Sequence, residues 1–140
     1  MKIKIKYHAD IDELEFSAGN YVDLRCAEDV DMKQGEYKVI SLGVSMELPT
    51  DYHAQVFLRS STPDKWGIVC ANSVGIIDSG YNGDGDVWRL PAYATRDTHI
   101  PKNTRIAQFQ IVHNQPIFNF ETVEELGNVD RGGLGSSGWS

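Results

Sequence analysis

Residues 74–84 read VGIIDSGYNGD, an apolar run that delivers a carboxylate into a glycine-rich turn. Gly75, Ile76 and Ile77 read as a short buried strand with Asp78 at its end; Ser79, Gly80, Asn82 and Gly83 make a turn around Tyr81. A carboxylate leaving an apolar strand is held stiffly yet stays open to water, which suits a general base. The same pattern also describes an Asp that opens a turn through its own side-chain hydrogen bonds. Two other stretches could bind anions. Arg59-Ser60-Ser61 follows an alternating apolar run and brings a guanidinium together with hydroxyl and amide donors, the groups that hold oxyanions. A serine-rich turn closed by an Arg salt bridge is its structural alternative. The end of the chain, RGGLGSSGWS, has the composition of a flexible linker, or of a mobile flap whose amides, hydroxyls and Arg131 close on a phosphate chain.

The bulk properties narrow the partners. A chain of 140 residues with 41% apolar content makes one domain around one core. No apolar run approaches the roughly 18 residues needed to cross a bilayer, so no membrane partner is expected. The opening MKIKIKY is too short and too regularly polar for a secretory signal; the mature protein is expected to begin there and to be cytoplasmic. Cys26 and Cys70 lack any CxxC spacing and are expected to be buried free thiols; His8, His53, His99 and His113 are scattered without ligand spacing. A net charge of −7, from 20 acids against 13 bases, argues against extended nucleic-acid binding. It leaves room for one small polyanion held by a few converging arginines with a divalent cation.

The elements that would carry these residues are strands. Alternation or short apolar runs mark residues 2–7 (an edge, with lysines on one face), 21–25, 37–42, 43–48, 52–58, 67–71, 87–93, 105–112 and 117–121. Residues 8–16 could hold one helical turn, and residues 27–35 read as polar turn. Asp23 sits inside a strand between Val22 and Leu24, so it must be exposed, paired or near a cation. Residues 67–78 read as a tight hairpin with Asn72 near its tip. Pro91 argues for an edge or a bulge. Ile106 and Phe109 fall out of phase for strict alternation, so both faces of their strand are expected to be covered, with Gln108 as its polar residue. About ten short strands with turn signals at regular spacing indicate an all-β jelly roll or distorted barrel. The expected organisation is a barrel domain over residues 1–128 and a mobile Gly/Ser-rich flap over residues 129–140.

Five segments stand in order: YVDLR at 21–25, RSS at 59–61, NSVGIIDSGYNG at 72–83, RIAQ at 105–108 and RGGLGSSG at 131–138. In order and content they resemble the five motifs of the homotrimeric dUTP pyrophosphatases (dUTPases), of the short bacterial and phage type. The resemblance implies hydrolysis of dUTP to dUMP and pyrophosphate with Mg2+, which limits uracil incorporation into DNA and supplies dUMP. It also implies a β-clip jelly-roll subunit and a homotrimer with shared active sites. Asp78 then matches the catalytic carboxylate that activates water, and Tyr81 the tyrosine that packs on the sugar and leaves no room for a 2′-hydroxyl. Asn72 and the backbone through Gly75, Ile76 and Ile77 match the uracil-reading loop. Backbone groups matched to uracil would leave cytosine with unpaired buried groups. Arg59, Ser60, Ser61 and Gln108 match phosphate contacts. Arg131, Gly133, Leu134, Gly135 and Ser136 match the flap over the γ-phosphate, and Asp23 matches an acid that contacts the metal indirectly, through water.

Three departures qualify the resemblance. Ala18 and Gly19 lie too far before Asp23 for the usual first-motif spacing. The tail motif is one residue short, and Leu134 stands where the family usually has an aromatic that stacks on uracil. The connection GDGDVWRLPAY is longer than usual. The missing stack is therefore expected from elsewhere: Trp88 first, with core packing as its alternative, then Arg89 by cation–π stacking, then Trp139. Asp84 and Asp86 lack the EF-hand pattern and read as a solvated turn. Two other functions fit the same scaffold. A dCTP deaminase-like enzyme would need an additional Glu near the base, and residues 72–81 contain none. A regulatory protein-binding module of the phage dUTPase type would have GDGDVWRL as its contact loop.

Overall fold

Side-chain alternation decides where each strand lies. In β6 (Tyr52–Leu58), Ala54 and Val56 point into the core while His53 and Gln55 face outward. The structure, a computed structural model, describes residues 1–16 and 19–134. Among these there are ten further strands: β1 (Lys4–Tyr7), β2 (Val22–Arg25), β3 (Val30–Met32), β4 (Tyr37–Ser41), β5 (Val44–Glu47), β7 (Ile68–Cys70), β8 (Gly75–Asp78), β9 (Arg89–Ala94), β10 (Thr98–Ile100) and β11 (Arg105–His113). Every pairing is antiparallel. A four-stranded sheet runs β2-β11-β6-β8 and a three-stranded sheet β4-β9-β7, with two-stranded ladders β1-β5 and β10-β3 beside them. Leu24, Ile40, Leu42, Ile68, Leu90, Ile100 and Ile106 are fully buried between these layers. The fold is an all-β jelly roll.

Several local expectations are corrected. The polar stretch after Ala27 contains β3, and β10 forms opposite it, with Met32 facing Thr98 and Val30 facing Ile100. Residues 8–16 contain no helical turn. The short helix α1 (Thr62–Trp66) instead follows β6, started by Pro63 and closed by Gly67. Gly67 has φ 64° and donates its N–H to Pro63 O at 2.9 Å, the left-handed helix end that glycine adopts without strain. Thr62, the first residue of this helix, is buried and donates its hydroxyl to Ile106 O at 2.8 Å. Residues 67–78 are not a paired hairpin. β7 pairs with β9 and β8 with β6, so Asn72 sits on a crossing between two sheets. Pro91 lies in the middle strand of its sheet, yet β7 has already ended beside it, at Cys70 opposite Ala92. Only Ala71 N–H reaches Pro91 O there, at 2.9 Å, so the missing proline N–H faces no ladder partner. The run 117–121 is no strand, and residues 113–134 are exposed throughout.

β11 is central, paired with β2 along one edge and β6 along the other. Its phase slip has a local cause: the register against β2 shifts between Arg105 and Ala107, so Ile106 and Ala107 are both buried. Phe109 meets Trp88 edge to face, centroids 5.1 Å apart at 84°.

Trp88 is thus a core residue, fully buried, and not the exposed stack expected above. Parity explains it: Trp88, Leu90, Ala92 and Ala94 share the inward face of the strand, while Arg89 and Tyr93 face out. Its indole Nε1–H has no hydrogen-bond partner among the described residues. Trp88→Ala should therefore lower the unfolding free energy by about 3–5 kcal/mol, read by urea denaturation, and a change in substrate affinity without loss of stability would contradict the assignment.

Cys26 is fully buried and donates its thiol to Pro101 O at 3.1 Å. Burial pushes this thiol above its ordinary value of 9.0, although neighbouring backbone hydrogen bonds pull the other way. In the unfolded chain the thiol ionises first. Its contribution is therefore fully present below pH 9.0 and lost as pH rises toward the folded value. Between those limits the wild-type stability should fall with pH by up to about 1.4 kcal/mol per unit more steeply than that of Cys26→Ala. Equal slopes in urea titrations of the two proteins would refute this.

Candidate active site

The first half of the site grows from β8. Its ladder with β6 places Asp78 directly opposite His53 and Gly75 opposite Val56. A strand held along its whole length fixes the Asp78 backbone, and its side chain is exposed at the strand end. The turn that follows is tied by Tyr81 N–H to Asp78 O at 3.1 Å and by Ser79 Oγ to Thr50 O at 3.3 Å. Tyr81 then reaches forward, its hydroxyl donating to Val87 O at 3.0 Å. Asp78 and Tyr81 share a shallow pocket of about 290 Å³ with Ile76, Ile77, Val87 and Arg89. The long connection is locked internally, Asp86 Oδ2 accepting from Gly83 N–H at 2.8 Å and Ser45 Oγ donating to Asp86 O at 2.9 Å. This half can hold a carboxylate and a phenol against a small flat guest.

On the other side of the sheet crossing, burial keeps the Cys70 thiol above its ordinary value, so it stays a donor and bonds Asn72 Oδ1 at 3.0 Å.

The second half gathers cations. Asp23 on β2 is one-quarter exposed and lies between two guanidiniums, Arg59 Nε at 3.2 Å and Arg105 Nη1 at 3.3 Å. Gln108 faces Asp23 across the β2–β11 ladder and donates Nε2 to Leu58 O at 3.3 Å. Ser60 and Ser61 are exposed beside them, and Ser61 begins α1 without using its side chain as a cap. Asp23 is thus both paired and near cations, and it orients two arginines whose outer faces stay open. Arg105 is the residue that sequence reasoning missed. Its only signal was its place at the head of RIAQ, ahead of a buried run.

The structure brings Asp23, Arg59, Gln108 and the serines together, and Asp78, Tyr81, Ile76 and Ile77 together, but it keeps the two groups apart. Asp78 stands opposite His53 on β6. Arg59 lies six residues further along the chain, just past the end of β6, or about 20 Å at ~3.3 Å per residue if the chain stays extended. Arg131, Gly133 and Leu134 are exposed with no regular structure. Gly135, Ser136 and Trp139 lie outside the described residues, as do Ser17 and Ala18. Both oxygens of Asp23 are engaged by arginines, and the described residues hold no group of three His, Cys, Asp or Glu that could cage a metal. Nor is any described helix long and apolar enough to cross a membrane.

The dUTPase family model matches residues 14–138. The chain is 49% identical over 143 residues to the SPbeta prophage-derived deoxyuridine 5'-triphosphate nucleotidohydrolase of Bacillus subtilis, covering 99% of both. Its fold is similar to that of a Staphylococcus bacteriophage 80alpha dUTPase solved with dUPNHPP, with TM-score 0.79 and 23% identity over 98% of each chain. It is also similar to a dUTPase mutant from phage phi11 of S. aureus, in which a structural Mg(II) ion is coordinated, with TM-score 0.76 and 18% identity over 90% of this chain and 99% of that one. A match across nearly the whole length, carrying all five segments in order, places the chain in the dUTPase family.

Proposed function

We propose that this protein is a dUTP diphosphatase that hydrolyses dUTP to dUMP and pyrophosphate, with each active site completed between copies of a homotrimer. The observation that carries the reading is the pocket in which Asp78, fixed by the β6–β8 ladder, stands beside Tyr81. Asp78 takes a proton from the attacking water, and the strand holds it at the right place throughout, a contribution of roughly 10²–10⁴ in rate. Tyr81, tied to the Val87 carbonyl, closes against the sugar and excludes a ribonucleotide's 2′-hydroxyl. Asn72, Gly75, Ile76 and Ile77 read the uracil edge, and backbone groups matched to uracil leave cytosine with unpaired buried groups. Arg59, Arg105, Ser60, Ser61 and Gln108 bind the triphosphate and stabilise the charge that grows on the leaving pyrophosphate. Arg131, Gly133, Leu134, Gly135 and Ser136 act as the flap.

A pocket of about 290 Å³ holds a nucleoside, while the arginines lie about 20 Å from Asp78 if the chain stays extended. This separation favours a site whose two halves come from different copies. The exposed arm favours association as well. Ile117, Phe118, Phe120, Val123, Leu126 and Val129 are all solvent-exposed. An apolar groove lined by Met1, Ile3, Ile5, Leu14 and Phe16 offers such side chains cover on another copy.

Mg2+ fits this donor set as an ion carried by the substrate. Asp23 has both oxygens taken by arginines, so it can reach the metal only through water, which is how magnesium is commonly held beside phosphates. When bound, the ion supplies neutralisation of the triphosphate's charge. Nucleotide chemistry of this kind belongs to the cytoplasm. The family match favours hydrolysis over deamination or a purely regulatory role.

Asp78→Asn should lower kcat by about 10²–10⁴ while leaving affinity for dUTP within a few-fold, measured as pyrophosphate release with magnesium alongside UTP, dTTP and dCTP as competitors for selectivity. Wild-type-like turnover in the variant would remove Asp78 from its role, and equal use of all four nucleotides would overturn the proposed specificity.

A further inference from the structure

With Trp88 in the core and Leu134 aliphatic, the one aromatic among the described residues of the pocket is Tyr81, which the proposed reading assigns to the sugar, so the base is left without an aromatic of its own. One flat group does face it. Arg89 opens β9 opposite Ser41, is exposed, and lines the pocket with Asp78 and Tyr81. It is the pocket's only cation, and among the described residues its side chain makes no ion pair or hydrogen bond, not even with Asp78 across the same cavity. The guanidinium is thus held at the site by a strand and left unspent.

We infer that Arg89 stacks its guanidinium plane on the pyrimidine ring and so acts as the specificity-determining cover of the nucleobase. The inference rests on the proposed dUTPase reading and names a group that reading leaves open. Two observations favour stacking over phosphate binding. The remaining walls are Ile76, Ile77 and Val87, an apolar slot suited to a flat ring and poor for a polyanion. The anion-binding arginines are elsewhere, clustered on Asp23. A guanidinium is planar and weakly hydrated, so it lies on a π-face in a way that a lysine ammonium does not.

The test compares Arg89→Ala, Arg89→Phe and Arg89→Lys in the full chain, with thermal melts to show that this exposed position leaves folding intact. Stacking requires KM for dUTP to rise about tenfold in Arg89→Ala with kcat nearly unchanged, the inhibition constant of dUMP to rise in parallel, Arg89→Phe to recover most of the loss, and Arg89→Lys to recover little. If Arg89→Lys behaves like wild type while Arg89→Phe is as poor as Arg89→Ala, the residue acts by charge and the inference is wrong. Unchanged KM in Arg89→Ala, with normal wild-type turnover, overturns this inference alone. Failure of the wild type to hydrolyse dUTP overturns the reading beneath it as well.

Discussion

The register of β8 against β6 is the constraint from which the rest of the site follows. It sets Asp78 opposite His53 and Ile77 opposite Ala54. A slip of one residue would turn Asp78 and Ile76 inward and Ile77 outward, exchanging a carboxylate for an apolar side chain in the core. Burial of Ala54 and Val56 therefore fixes the position of a polar group that itself contributes little to stability. The same register also fixes distance. The strand that aligns Asp78 at one end carries Arg59 just beyond the other, and a β-strand cannot shorten to bring them together.

The cationic half depends on a second backbone irregularity. The bulge at the start of β11 buries two successive residues, Ile106 and Ala107, and leaves Arg105 and Gln108 on the side of Asp23. Asp23 joins β2 to this cluster through two partly exposed ion pairs. Pairs open to solvent contribute little to folding, so their consequence is orientation: two guanidiniums are aimed by one carboxylate, and Arg59 is held further by Nη1 donating to Arg105 O at 3.5 Å. Thr62, the first residue of α1 and bonded to Ile106 O, ties the loop that carries the serines to the same strand.

Much of this was legible in the sequence where the signal was local. β6 lies where alternation placed it, residue for residue. The out-of-phase burial of β11 was readable too, although its cause, a bulge against β2, involves a strand some eighty residues away. β3 and β10 are three residues each and pair only with one another, so their ladder joins segments about seventy residues apart that no local window of sequence contains. The run at 117–121 has strand-like composition but no ladder partner among the described residues. The hairpin expected at 67–78 failed because both of its strands found better neighbours, β9 and β6. For Trp88 the structure selects core packing over the stacking role. Its parity with Leu90, Ala92 and Ala94 already assigned it to the inner face and Arg89 to the outer one.

If the two halves are too far apart to serve one nucleotide from a single chain, defects in different halves should complement. The direct measurement is dUTP turnover by mixed oligomers, made by refolding Asp78→Asn and Arg59→Ala chains together, each inactive by itself. Subunits that combine Asp78 from one chain with Arg59 from another should recover roughly a quarter of wild-type activity at equal mixing. Mixtures no more active than the separate variants would show that each chain carries its whole site.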